Sequence, residues 1–339
     1  MTETARRADY VLPASSQYEK AEATFFNLTF PDNAFHLRKP ILDPLPGTLP
    51  EPEIYRRLCV ALGAMPDRFP ILERVAKVDR QARRLRTFPV ALKARLALEP
   101  KLAPLASLVL YATLGKALPE GLESAAVLWT GALMMADKHT DAVRRAGIED
   151  TGAGLGEALF KAILESDSGT TMTHHRYEET WSFLRHADGK VHLTIPELLP
   201  ELKALSEPLE PGGGFVLMAG ERRSYNANTI LRAPQWRKSD PDGALRMNPG
   251  DAERLGVDDG DRVRVVTNRG EVEATVERFD GMQRGVVSLP HGYGMAHPGE
   301  DGERVQHGPW INRLTDASHC DPHTKTPLHK AVSVDVVPV

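Results

Sequence analysis

One stretch decides the fold class of the C-terminal part of the chain: Asn248 to Thr267, which is NPGDAERLGVDDGDRVRVVT. Asn248 is a helix-capping residue, and Pro249 stands at the first helical position, where its missing amide hydrogen is not needed. Gly256 supplies the left-handed residue that ends such a helix. The alternating residues 262–267 then indicate a strand. The stretch therefore predicts a short helix that leads into a strand, and none of its residues is a candidate catalyst.

Strand-like segments lie on both sides of this stretch. Residues 215–218 are apolar, residues 272–276 alternate after the turn Asn268-Arg269-Gly270, and valine-rich segments follow at 286–289 and 332–336. Alternation on both sides of a glycine-containing turn is typical of a hairpin. Several short strands with glycine turns and few helices predict a compact β-barrel for this part of the chain.

The N-terminal part of the chain follows another pattern. Residues 40–50 are rich in proline, which removes donors and clashes with the preceding turn, so an extended strap is predicted there. Helices dominate after it, and the first begins near Pro52 and ends at Gly63. Apolar residues predict further buried helices over 105–114 and 125–135. Two helix faces are expected to be buried, and their residues are Ile54, Leu58, Ala61 and Leu62, and Leu155, Leu159, Phe160, Ile163 and Leu164.

The first residues bear on location and completeness. Residues 1–9 are charged and contain no apolar core of a signal peptide, so we expect a cytoplasmic protein. No window of about 18 apolar residues exists, which excludes a membrane-spanning helix. Tyr10 to Pro13 is a short apolar segment, which predicts a core strand. A domain that begins inside its own core strand looks truncated.

Composition excludes several classes of protein. The 339 residues include 42 Lys and Arg against 46 Asp and Glu, a net charge of −4, which gives no electrostatic reason to expect a nucleic-acid binder. Cys59 and Cys320 are the two cysteines of the chain. They exclude a disulfide framework, and they exclude an all-cysteine iron–sulfur cluster because such a cluster needs four thiolates.

Residues 207–214 are the best candidate for a linker between domains. They contain two prolines and end in three consecutive glycines. No Gly-Lys-Ser/Thr follows those glycines at the spacing of a phosphate-binding loop, so the loop is not one. We predict a partial α/β domain with a helical segment over 1–206, the linker over 207–214, and a barrel domain over 215–339.

Three motifs in this order carry a resemblance. They are the helix–strand stretch that begins at Asn248, followed by Gly-Val-Val-Ser-Leu-Pro-His-Gly at 285–292; the closing run from Asn312 to Val332; and the front end from Glu3 to Asn27. Together they resemble the C-terminal portion of molybdopterin oxidoreductases, the superfamily of formate dehydrogenase, nitrate reductase and dimethyl sulfoxide reductase. The resemblance implies an incomplete α/β and helical region followed by a six-stranded, double-psi-like β-barrel.

The resemblance also implies a cofactor, molybdopterin guanine dinucleotide carrying molybdenum or tungsten, which the barrel covers through its loops. Amide side chains and backbone near glycines can bind the edge of a pterin, and Arg, Lys or hydroxyl donors suit its pyrophosphate. For each candidate a plain role stays open: an exposed polar loop, a capping or core histidine, a local turn, or a solvated lysine. The candidate cofactor-binding residues are Gly220, Arg222, Asn226, Asn228, His291, Gly292, Tyr293, Asn312, Thr315 and Lys330.

The family places its metal ligand and its iron–sulfur cysteines in a part of the protein that precedes this region. Neither Cys59 nor Cys320 matches a family ligand position, and Cys59 is expected on the buried side of a helix. We therefore predict no catalytic residue, no metal ligand and no iron–sulfur cluster in this chain. The expected partner is an N-terminal molybdopterin and iron–sulfur chain or domain, without nucleic acid and without membrane insertion.

Histidines suggest one competing kind of site. The run His319-Cys320-Asp321, with His323, groups residues of the types that bind zinc. The second half of a paired-cysteine motif is missing, and the family motif accounts for Asp321 without a metal, so we prefer no metal site. His174 and His175 are expected at a surface or interface.

Two functions from different classes remain. The chain is either the C-terminal part of a formate-dehydrogenase-like oxidoreductase that works with an N-terminal half, or a non-catalytic cofactor-binding or assembly module, including an inactive remnant. In the first case two electrons move at the metal, and protein groups tune the site. A neighbouring reading frame that encodes the missing half would favour the first function.

Overall fold

The computed structural model describes residues 3–24, 29–82, 86–150, 152, 154–204, 214–220, 242–299, 301–318 and 320–339. The chain forms two compact units. The helical unit comprises residues 10–193, and the barrel unit comprises residues 1–9 and 194–339. Most of the predicted linker lies outside the described residues, and the predicted domain boundaries stay predictions.

The helical unit combines helices with a small antiparallel sheet. Its strands pair in the order β1-β2-β3, and no described helix has the length and apolar character that a membrane crossing needs. Short 3₁₀ segments at 100–105, 115–117, 123–127 and 177–183 join several helices. The strands are β1 (Glu22–Thr24), β2 (Asp32–Arg38) and β3 (Thr170–His174), and the helices are α2 (Glu51–Ala61), α3 (Pro70–Gln81), α4 (Thr87–Leu98), α5 (Ala106–Ala112), α6 (Leu128–Lys138), α7 (Thr140–Arg145) and α8 (Leu155–Glu165).

The core of this unit confirms the later helical predictions. Helices α5 and α6 occupy most of the two predicted apolar stretches. Helix α8 buries four of the five residues expected on its face, and Leu155 packs against the core while partly buried. Spacing alone was sufficient here, because the opposite face of α8 carries polar residues such as Lys161 and Glu165.

The predicted buried face of α2 is wrong. Leu58 and Leu62 are 43% and 82% exposed, and α2 contains no buried residue. Its contact with the core runs through Cys59 and Val60, which are partly buried. Apolar residues surround this helix on several sides, so their spacing does not define one stripe.

The predicted core strand at the N-terminus is wrong as well. Tyr10, Val11 and Leu12 are 87%, 47% and 57% exposed and belong to no strand. The chain forms backbone contacts just after them, where the Ser15 amide donates to the Leu49 carbonyl over 2.9 Å. Residues 40–50 contain no helix, as predicted, but they turn at 46–47 and form an isolated bridge from Leu49 to Ala14.

The barrel unit is a closed barrel with the strand order β11-β4-β8-β5-β7-β6. This agrees with the predicted six-stranded barrel, while its double-psi character stays a prediction. A separate two-stranded ribbon, β9-β10, lies outside the barrel. The elements are α1 (Glu3–Arg7), α9 (Leu199–Ala204), β4 (Phe215–Gly220), β5 (Leu245–Met247), α10 (Pro249–Leu255), β6 (Arg262–Val266), β7 (Glu271–Arg278), β8 (Val286–Pro290), β9 (Ala296–Pro298), β10 (Arg304–Gln306) and β11 (Lys330–Pro338).

The stretch that begins at Asn248 folds as its sequence predicts. The Asn248 side chain accepts a hydrogen bond from the Gly250 amide over 2.9 Å. Ala252 is buried in the barrel core, and Gly256 ends α10 with φ of 71°. Each of these features is local in the sequence, which is why the capping residues were sufficient to locate the helix.

Candidate functional site

The directions of the strands define one end of the barrel. Pairing shows that β4, β6 and β8 run one way, while β5, β7 and β11 run the other way. Three strands therefore end where three others begin, and we call this end the upper rim. The strand-terminal residues at the upper rim are Gly220, Leu245, Val266, Glu271, Pro290 and Lys330.

Gly220 and His291 meet at the upper rim because β4 and β8 are parallel neighbours. The His291 amide donates to the Gly220 carbonyl over 3.2 Å. A Cβ added to Gly220 would collide with the Ser288 hydroxyl, so a larger residue at this position would force the Ser288 side chain to move. The His291 ring contacts the His329 ring edge to face, with centroids 4.8 Å apart.

The segment after His291 packs beside the upper rim, near the start of β5. Gly292 and Gly294 have φ of 80° and 87°, which favours glycine at both positions. Tyr293 is buried, and its ring would lie 2.7 Å from a Cβ added to Gly243. Glycine at 243 thus gives the Tyr293 ring its space, while His291 remains partly exposed.

Asn312 and Thr315 lie beside the turn between β6 and β7. Asn312 belongs to a 3₁₀ segment at 311–314 and is exposed, and Thr315 follows it and is half-buried. The Thr267 hydroxyl donates to the Leu314 carbonyl over 3.2 Å, which attaches this segment to the hairpin turn. The two predicted residues therefore sit at the part of the upper rim formed by that turn.

Lys330 begins β11 opposite Met218 and is exposed. The register shifts between Lys330 and Val332, and the intervening Ala331 has φ of 57°. A cavity of about 500 Å³ lies between this bulge and the hairpin turn. Arg269 lines the cavity and pairs with Asp316 over 3.3 Å.

The loop before Lys330 is held by Asp321. Its carboxylate accepts hydrogen bonds from the amides of Thr324 (2.6 Å) and His323 (3.0 Å). The bonds from Thr324, backbone first, hold the pKa of Asp321 below its ordinary value. Within the described ranges no three His, Cys, Asp or Glu residues are arranged to bind a metal ion. His319 lies outside the described residues.

The upper rim thus brings together most of the residues predicted from sequence. Gly220, His291 and Lys330 lie on its β4–β8–β11 side, and the segment 311–315 lies at its hairpin side. His329 and Arg269 were not predicted as site residues. Only their neighbours in sequence could have indicated them, since His329 precedes Lys330 and Arg269 lies in the hairpin turn. Arg222, Asn226 and Asn228 lie outside the described residues.

Comparisons with known proteins bear on this region. Residues 215–333 match the family model described as "Molydopterin dinucleotide binding domain". The chain is 32% identical over 111 residues to a tetrathionate reductase subunit of Salmonella typhimurium, which is 29% of this chain and 11% of that protein. It is 29% identical over 141 residues to dimethyl sulfoxide reductase DmsA of Escherichia coli, which is 40% of this chain and 16% of that protein.

A third relative covers more of the chain. The menaquinone reductase, molybdopterin-binding-like subunit of Nitratidesulfovibrio vulgaris is 27% identical over 171 residues, which is 46% of this chain and 24% of that protein. The matched stretches therefore span less than a quarter of the length of these relatives. The resemblance inferred from the motifs is confirmed: the chain carries the C-terminal region of a molybdopterin oxidoreductase, with its molybdopterin dinucleotide-binding domain at residues 215–333.

Proposed function

We propose that the upper rim binds a molybdopterin guanine dinucleotide, and that the chain works as the C-terminal part of a bis-pterin molybdenum or tungsten oxidoreductase. One observation carries the proposal. Polar residues chosen from sequence in separate segments converge on one end of the barrel, inside the domain that the family model matches. Chance would scatter such residues over both ends.

The donors at the upper rim suit this cofactor chemically. Lys330 presents an ammonium group, which favours the anionic pyrophosphate, and Asn312 presents an amide with both a donor and an acceptor for the edge of a pterin. The rings of His291 and His329 offer flat surfaces and N–H donors. When bound, the cofactor supplies two-electron redox chemistry at its metal. The part of this chain is to hold and orient the cofactor and to exclude water from one side of it.

We infer that the metal ligand comes from an N-terminal chain or domain, because neither cysteine matches a family ligand position. The names of two relatives refer to tetrathionate and dimethyl sulfoxide. A formate-dehydrogenase-like substrate is our proposal from the sequence motifs alone, and fold likeness does not fix the substrate.

A second function is favoured by the name of one relative, a molybdopterin-binding-like subunit. In this case the chain binds or helps to assemble the cofactor without catalysis. The two functions share the upper rim and differ in the need for a catalytic partner, so cofactor binding and activity must be measured separately.

The test is co-expression of this chain with an N-terminal chain that carries the molybdopterin and iron–sulfur region, followed by analysis of metal and pterin in the purified complex. The oxidoreductase proposal expects co-purification, one metal per complex and two-electron turnover of a dye. A complex that retains pterin but never turns over supports the non-catalytic function. Chains that do not co-purify and contain no pterin overturn both.

The role of the rim is tested by Lys330→Gln in the same complex. Loss of one charge-assisted contact is expected to lower pterin retention about tenfold. The matched control is Lys77→Gln, which removes the same charge from an exposed site on α3. Equal retention in both variants would contradict a phosphate contact at Lys330.

A further inference from the structure

The helical unit contains a cavity of about 640 Å³ that the proposed function does not use. Such a volume is typical of pockets for small organic ligands. The start of β2, the end of α6 and the segment after β3 form its walls. The lining residues that matter for the argument are Phe30, Lys138, His139, His175, Phe183 and Arg185.

Aromatic rings cluster in this wall around His175. The Phe183 ring lies 5.0 Å from the His175 ring at 87°, and the His139 ring lies 5.2 Å from it at 88°. The Phe30 ring is nearly parallel to His175, with centroids 6.0 Å apart. Rings arranged edge to face leave faces that favour a further planar ring.

His175 is the buried histidine at the centre of these rings. It is 6% exposed, so the expectation of a surface or interface position is wrong for this histidine. Its Nδ1 lies 3.6 Å from Glu179, whose carboxylate accepts two bonds from Arg145 at 2.7 and 2.8 Å. The aromatic wall of the cavity thus contains a histidine whose Nδ1 faces the Glu179–Arg145 pair.

Among the described residues, the charged side chains that line the 640 Å³ cavity are the cations Lys138 and Arg185, and neither has an ion pair there. An adjoining cavity of about 310 Å³ shares Lys138 and the aromatic wall with it and is also lined by Asp137, Asp141 and Glu179. Arg145 lines that adjoining cavity as well and pairs with Glu179. The two cations in the wall of the larger cavity favour an anion there.

We propose that this cavity binds a planar aromatic anion, meaning a flat ring system that carries one carboxylate or a comparable acidic group. The ring lies against Phe183 and the two histidines, and the acidic group is bound by Lys138 and Arg185. This site lies within the helical unit and does not depend on the molybdopterin cofactor. Its test is therefore independent of the test of the proposed function.

Calorimetry with 2-naphthoate and the full 339-residue chain without cofactor tests the proposal. The chain is expected to bind 2-naphthoate, and the double variant Lys138→Gln/Arg185→Gln is expected to bind it about tenfold or more weakly. Both side chains are exposed, so the variant should fold. Lys93→Gln, an exposed lysine on α4 that lines none of these cavities, is the control and should change affinity less than about twofold.

Neutral 2-naphthalenemethanol keeps the ring system of 2-naphthoate and lacks its charge, so it measures the contribution of the ring to binding separately from that of the carboxylate. The chain is expected to bind it about tenfold more weakly than 2-naphthoate, with no loss in the double variant. Phe183→Ala should weaken binding of both probes, because it removes the ring surface that they share. No binding of 2-naphthoate, equal binding of the two probes, or full affinity in the double variant would overturn the proposal.

Discussion

Gly256 and Ala331 both adopt left-handed backbone angles. This conformation costs glycine little but strains alanine. Gly256 has φ of 71° with no atom near its missing Cβ, whereas Ala331 holds φ of 57° with a Cβ in place. A Cβ in this region costs about 1–2 kcal/mol. The sequence motif explains the glycine, but only the bulge at the start of β11 shows that position 331 is strained.

We expect Gly256→Ala to lower the free energy of unfolding of the barrel unit by about 1 kcal/mol. Ala331→Gly should leave it unchanged or raise it by less than about 1 kcal/mol, because relief of strain exceeds the entropy cost of glycine. Urea unfolding of both variants measures the difference. If Ala331→Gly destabilises as much as Gly256→Ala, backbone strain is not what separates the two sites.

Among the elements of the helical unit, α3 caps the helix that follows it. Asp79 is buried on α3, and its carboxylate accepts hydrogen bonds from the amides of Thr87 (2.7 Å) and Phe88 (2.8 Å) at the start of α4. Arg86, which directly precedes α4, forms no side-chain cap. A residue of one helix thus performs the capping role for the next, and this cannot be found by reading the residues that precede α4.

Asp79→Ala is expected to destabilise the helical unit by about 1–3 kcal/mol, since it leaves two amides of the first helical turn without their acceptor. Asp79→Asn keeps one carbonyl oxygen and should cost less. Chemical unfolding followed by circular dichroism measures both variants. An alanine variant that is as stable as the asparagine variant would show that water replaces the carboxylate.

Elements whose form depends on adjacent residues could be predicted from the sequence, whereas features that depend on distant residues could not. The helix α10 and the hairpin of β6 and β7 depend on adjacent residues, so capping and turn chemistry located them. The exposed face of α2 depends on which side α5 covers, and apolar spacing carries no such information.

The candidate site shows this limit more clearly. His291 and Lys330 were found through a family motif, but their shared location follows from the parallel pairing of β4 with β8 and the antiparallel pairing of β11 with β4. Long-range pairing of this kind leaves no mark in the local sequence. The expectation that His175 lies at a surface or interface fails for a related reason, because Phe30, from a distant part of the sequence, packs beside it together with Phe183.

For the molecule as a whole, buried titratable groups make stability depend on pH, and Glu157 of α8 is one of them. Burial raises the pKa of Glu157 above its ordinary value, and the hydrogen bond from the Trp129 indole only partly opposes this. The folded chain therefore binds this proton more tightly than the unfolded chain. Its stabilising effect is complete below the ordinary glutamate pKa and is lost as pH rises through the raised value.

We expect Glu157→Gln to remove this loss, because glutamine keeps an oxygen that accepts from Trp129 and carries no charge. The free energy of unfolding of the variant, relative to the natural chain, should increase as pH rises above about 4.5 and level off above the raised pKa of Glu157. The control is Glu165→Gln, near the exposed end of the same helix, which should show no such rise. Urea unfolding at a series of pH values measures both variants. If their free energies of unfolding change with pH in the same way, Glu157 titrates as an ordinary surface carboxylate.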